Sequence, residues 1–161
     1  MSTPLTWNEA AREKTAHLYL SMEDKHVNVA SIRYVFERLS AKYFYDVSPE
    51  TKNPVHELWT EIGVKALTWG QKKNIVIDQK NLLATLISKQ RDYGHQNIAK
   101  YGREGLIIRV HDKIARLENL TKNEVMRDAQ NEPISDTILD IAGYSVIGMM
   151  WESEIFLLPL M

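Results

Sequence analysis

Cysteine is absent from this chain. Disulfides and thiolate metal centres are therefore excluded, and an intracellular protein is the natural expectation. Long hydrophobic runs are missing too. No window approaches the roughly 18 apolar residues that a membrane span requires, and the C-terminal Ile155-Phe156-Leu157-Leu158-Pro159-Leu160-Met161 is far too short. No basic region followed by an apolar run opens the chain, so no secretory signal is expected. These absences predict a cytoplasmic protein with no membrane partner. A surplus of either charge is also lacking: 20 Lys and Arg face 21 Asp and Glu, a net charge of −1. That balance argues against binding duplex nucleic acid mainly through its phosphates. It leaves room for a small phosphate ligand, whose charge a bound cation can offset locally. Finally, Asn-Gly and Asp-Gly hairpin turns are absent and alternating runs are short, so strands are scarce.

What remains is a helical sequence. Its 161 residues, 44% hydrophobic and 25% charged, suit one ordinary globular domain. Thr6 is placed to cap a first helix from Trp7 to about Ser21, with Glu9 at the capping-box position. A second helix is expected over about 29–45 and a third over about 54–72, with Ser48-Pro49 and Asn53-Pro54 breaking the chain between them. Ile75-Val76-Ile77 is the best candidate for a strand, or else begins the next helix. Further helices are expected at about 79–92, 97–121 and 134–152, and Thr121–Asn131 reads as a loop. The fold class is all-α, a helical bundle. Residues 1–75 form an N-terminal helical region and 76–161 a C-terminal core.

Two helices carry the chemistry. Winding residues 106–120 at about 100° per residue puts Leu106, Ile107, Val110, Ile114, Leu117 and Leu120 on one apolar face. Arg109, Asp112, Lys113 and Arg116 share an adjoining stripe at i, i+3, i+4 and i+7, where side chains can converge. In the last helix Asp136, Asp140 and Tyr144 share one face, while Ile138, Leu139, Ala142, Val146, Met149 and Met150 take another. Antiparallel packing of the two would set three aspartates beside three cations. Carboxylates can hold Mg²⁺ or Mn²⁺, and Arg109, Lys113 and Arg116 can meet phosphate oxygens. Salt-bridge ladders on a solvated surface are the plainer explanation of the same stripes. The loop Asp92-Tyr93-Gly94-His95-Gln96-Asn97 adds a stacking ring at Tyr93 and hydrogen-bonding groups at Asp92 and Asn97. It also serves as a helix stop at Gly94 and a start near Asn97. The adjacent His111-Asp112 pair raises a further alternative, an HD-type metal phosphohydrolase completed by His95 and Asp136 or Asp140, although winding turns His111 away from the cationic stripe.

The order Asp92-Tyr93-Gly94, Gly105-Leu106, Arg109, Asp112-Lys113, Arg116-Leu117, Asp136-Thr137 and Asp140-Ile141-Ala142-Gly143-Tyr144 resembles the nucleotide modification-associated domain 1 family, common in phages. That family is in turn similar to the MazG-like all-α nucleoside triphosphate pyrophosphohydrolases. The resemblance covers about residues 82–152, and Gly143 stands where the family's final motif usually carries Asn. It implies a MazG-like nucleotide-binding core at 76–161, with residues 1–75 as interface or cap, acting in the host cytoplasm if phage-encoded. It implies hydrolysis of a nucleoside triphosphate to monophosphate and pyrophosphate, with Mg²⁺ (or Mn²⁺) on Asp112, Asp136 and Asp140. Arg109, Lys113 and Arg116 would contact phosphates, with Asp92, Tyr93, Asn97 and Tyr144 around the nucleoside. Glu118 and Glu132 are reserves, Glu118 winding toward solvent. A non-catalytic nucleotide-binding accessory protein of base modification is the main alternative. Trp7, Trp59, Trp69, Tyr34, Phe36, Tyr43, Phe44 and Tyr45 load residues 1–75 with rings that need burial, from which a homodimer is expected.

Overall fold

The computed structural model describes residues 3–44, 54–122 and 131–161. Those residues are helical and contain no strand. The helices are α1 (Trp7–Leu20), α2 (Val29–Phe44), α3 (Pro54–Lys72), α4 (Gln79–Tyr93), the single-turn α5 (Gln96–Ala99), α6 (Gly102–Leu120) and α7 (Asn131–Glu152). Much of the Thr121–Asn131 loop, the Ser48-Pro49 break, Asn53, Tyr45, and the side chains of Tyr43, Phe44 and Glu132 lie outside the described residues. No described helix is long and apolar enough to cross a membrane.

Local chemistry sets the helix ends. The Thr6 hydroxyl accepts a hydrogen bond from the Glu9 amide at 3.2 Å, and the Glu9 carboxylate accepts one from the Leu5 amide at 3.0 Å. This is a capping box whose return bond lands one residue early. The helix expected over 97–121 is divided in two because Gly102 takes a φ of 56°. A side chain there would also meet the Trp151 ring at 2.8 Å. Ile75-Val76-Ile77 forms neither strand nor helix. Asn74 adopts a φ of 62°, and the Ile75 amide bonds back to the Gly70 carbonyl at 2.8 Å. That left-handed stop ends α3 and sends the linker out with no strand to pair with. The linker is fastened instead by Tyr19, whose hydroxyl donates to the Ile77 carbonyl at 2.7 Å.

Burial, with Asp78 nearby, pushes the Tyr19 phenol up to about 12 from a usual 10.0. The folded protein therefore keeps a proton that the unfolded chain loses above about 10. This contribution to stability is full below pH 10 and is lost as pH rises through about 12. Phenolate absorbance should show one tyrosine titrating near 12 that disappears in Tyr19→Phe. Normal titration of every tyrosine would show that Tyr19 is not buried against the linker.

The centre of the bundle is α7, which packs against α3, α6, α1 and α4. Ile134, Ile138, Ile141, Ala142, Val146, Met149 and Met150 are buried, drawn from most of its circumference. Its buried hydroxyls, Thr137 and Ser145, bond back to the Pro133 and Ile141 carbonyls and so leave no orphaned donor. Small residues let α3 approach closely: Gly63 faces Ser145, Gly70 faces Ile138, and Gly148 of α7 faces Trp59. The expected apolar face of α6 is the buried one, from Leu106 to Leu117. Both halves of the chain feed a single hydrophobic core. Trp7, Trp59, Trp69 and Phe36 find their burial there, within one chain, while Tyr34 is exposed. Those four rings need no second subunit to cover them.

Candidate functional site

A cavity of about 310 Å³ opens between α4 and α7, closed at one end by α5 and the middle of α6. From α4 come Leu82, Thr85, Leu86, Lys89, Gln90 and Tyr93. These positions follow helical spacing, so one stripe of α4 supplies them all. Asn97 and Ile98 of α5 and Arg109 of α6 form the end wall. Leu139, Asp140, Gly143, Tyr144 and Ile147 of α7 face them. The lining therefore mixes apolar side chains with a charged rim of Lys89, Arg109 and Asp140.

Asp140 is the centre of that rim. Its carboxylate is 19% exposed and pairs with Lys113 of α6 at 3.0 Å and Lys89 of α4 at 3.3 Å. Three helices thus meet in one ion cluster beside the cavity. Arg109 donates to the Asn97 carbonyl at 3.0 Å, with the Asn97 side-chain oxygen at 3.4 Å. This holds the guanidinium at the cavity edge without neutralising it. Two lysines on one carboxylate, with Arg109 at the cavity edge, carry surplus positive charge, the condition for accepting a polyanion.

Of the residues singled out from the sequence, Tyr93, Asn97, Arg109, Asp140 and Tyr144 line the cavity and Lys113 joins them through Asp140. Asp92, Asp112, Arg116 and Asp136 do not line it and are exposed. The three aspartates expected around a metal do not converge. Lys113, about 100° round from Asp112, is the α6 residue that pairs with Asp140 of α7. Among the described residues, the one group of three His, Asp or Glu side chains with ligand atoms within 4.8 Å of one another is His17, His56 and Glu57, on α1 and α3. There the Lys14 ammonium lies 3.1 Å from Nε2 of His56. Burial lowers the pKa of both Lys14 and His56.

The histidines of the HD alternative have separate partners. His111 turns to α2, with Nδ1 3.0 Å from the Arg33 guanidinium and its ring packed on Phe36 at 5.4 Å. His95 sits between Gln90 and the Leu158 carbonyl, at 2.7 and 2.6 Å. Glu118 does point away from the cavity, but Arg33 binds it through two nitrogens, at 2.6 and 3.1 Å, rather than leaving it to solvent. That pairing holds the Glu118 carboxyl below its usual range.

Sequence reasoning missed Lys89, Gln90 and Thr85. One signal was available: Leu82, Leu86 and Gln90 occur four residues apart, so a buried polar residue continues an apolar stripe. Gly143 also lines the cavity, where an added Cβ would stand 3.4 Å from Leu86 and narrow the space. Comparison of this chain with protein-family models, curated proteins and solved structures finds no match.

Proposed function

We propose that the cavity between α4 and α7 binds a nucleoside triphosphate and that the protein hydrolyses it to monophosphate and pyrophosphate with Mg²⁺ or Mn²⁺. The observation carrying this reading is the ion cluster of Asp140, Lys89 and Lys113, with Arg109 close by, on the rim of a cavity that also holds leucine, isoleucine and tyrosine side chains. Such a layout gives a flat heterocycle an apolar seat and its phosphates a cationic rim. The motif resemblance to the nucleotide modification-associated domain 1 family, itself similar to MazG-like enzymes, supports the same assignment.

Among the described residues, Asp140 is the only carboxylate lining the cavity. A magnesium site takes one or two carboxylates, with phosphate and water completing the shell. Asp140 alone meets that demand from inside the cavity; Asp136, one helical turn away on α7, is exposed outside it, and Asp112 neighbours Lys113 at its edge. Bound there, the cation would polarise the phosphoryl group and lower the pKa of the attacking water. Lys89, Lys113 and Arg109 would neutralise the triphosphate, and Tyr93 and Tyr144 would flank the nucleoside. The two lysines now on Asp140 would turn to phosphate, freeing the carboxylate.

A second reading, a non-catalytic nucleotide binder, is favoured by one fact: the single cavity carboxylate is already paired with two lysines. One screen separates the two. All common ribo- and deoxynucleoside triphosphates are incubated with Mg²⁺ or Mn²⁺ while pyrophosphate release and melting temperature are followed. Release of pyrophosphate from at least one nucleotide is expected. A ligand at 100 times its Kd adds about 2.7 kcal/mol of stability, so the same nucleotide should also raise the melting temperature. Stabilisation without pyrophosphate would establish the binder, and neither effect would refute both.

A further inference from the structure

The most buried polar side chain bordering the cavity is Gln90, 5% exposed, near the end of α4. A relay from the C-terminal segment sets its orientation. The Leu158 carbonyl can only accept, so its 2.6 Å contact with Nε2 of His95 requires the hydrogen on that nitrogen. Nε2 of Gln90 stands 2.7 Å from Nδ1, and an amide nitrogen can only donate, so Nδ1 presents its lone pair. The amide nitrogen of Gln90 donates there, and its carbonyl oxygen is turned away from His95. Nothing among the described residues hydrogen-bonds that oxygen, yet it is not a sealed, unsatisfied atom. The open space its side chain borders is the cavity.

We propose that Gln90 Oε1 accepts a hydrogen bond from an N–H group on the edge of the ligand's ring, an amino or imino group of a nucleobase. This rests on the cavity being a nucleotide site. The gradient of polarity fixes the pose. Lys89, the next residue back, has a 55% exposed side chain at the charged rim, whereas Gln90 is inside. The anionic end of the ligand faces outward and the heterocycle inward. One of the two amide hydrogens of Gln90 is committed to His95, which fixes the carbonyl as the group turned away from the ring. Oε1 reads a ring donor. A ring lacking that donor displaces water from the acceptor and gives nothing back, which costs about 10- to 100-fold in affinity.

The test is calorimetric binding of matched nucleoside triphosphates differing only in the edge donor. Adenosine is compared with unsubstituted purine riboside, and uridine with N3-methyluridine, each with Mg²⁺. In the wild-type protein the donor-bearing member of at least one pair binds about 10- to 100-fold more tightly. Gln90→Leu should bring the pair within about twofold, while Gln90→Glu, which keeps an acceptor on the cavity side, should retain the gap. Equal binding within every pair by the wild-type protein would overturn the proposal and leave the nucleotide reading intact, as would a gap that survives in Gln90→Leu. No binding by any nucleotide would overturn the nucleotide reading and this assignment with it.

Discussion

Gly148→Ala is expected to lower the melting temperature by about 5–10 °C, at about 2–4 °C per kcal/mol for a chain of this size. A Cβ at 148 would lie 2.2 Å from Cδ2 of Trp59, 2.5 Å from Cε2 and 2.6 Å from Cγ. These are the stem and fused edge of an indole that is 0% exposed, so the ring cannot swing aside as a flexible chain end would. Alanine is worth about 1 kcal/mol more than glycine within a helix. Overpacking costs about 1–3 kcal/mol in ordinary cases. Contact this short lies at or beyond the upper end of that range, so the clash wins by about 2–3 kcal/mol. A thermal melt followed by circular dichroism measures it. Gly143→Ala, five residues earlier on the same helix, is the control: its Cβ would meet only Leu86, at 3.4 Å, so little change or a slight gain is expected. A Gly148→Ala protein as stable as wild type would mean that α3 and α7 do not touch at this point.

Asp140→Asn is expected to reduce pyrophosphate release by about 100-fold or more, the scale seen when one preorganised charge-stabilising group is removed from a site. The fold should survive. Asp140 pairs with lysines whose side chains are 29% and 55% exposed, and such pairs contribute about 0–1 kcal/mol. Losing the carboxylate leaves Lys89 and Lys113 without their shared counter-charge, so metal-free nucleotide should bind as tightly as before or more tightly. The variant therefore separates turnover from binding in one protein. Calorimetry paired with the pyrophosphate assay reads both quantities. Full turnover would remove Asp140 from the reaction.

The helices were legible in the sequence where periodicity and caps agree. Thr6 and Glu9 mark the start of α1, and the apolar spacing from Leu106 to Leu117 picks out the buried face of α6. Winding also brings Arg109, Lys113, Asp140 and Tyr144 to the right neighbourhood. Winding says which residues share a stripe, but not which edge of that stripe meets the neighbouring helix. Asp112 and Lys113 are adjacent, and only the crossing of α6 over α7 decides that the lysine reaches Asp140. Lys89 and Gln90 depended on a longer-range fact, the pairing of α4 with α7, which no local pattern encodes. The His95 contact with Leu158 is longer-range still, spanning 63 residues.

The seam between α3 and α7 also has a history in time. Thr60 donates to the Met149 sulfur across 89 residues of chain, and Trp59 waits for Gly148 over the same interval. Chains are synthesised at about 5–20 residues per second, so the apolar face of α3 leaves the ribosome roughly 5–20 s before the helix that covers it. Helices themselves form in about a microsecond. During that interval Trp59 lacks the α7 backbone at Gly148 that packs on it in the folded protein. The α3–α7 seam cannot close before α7 is synthesised, so the core forms only once the last helix is present.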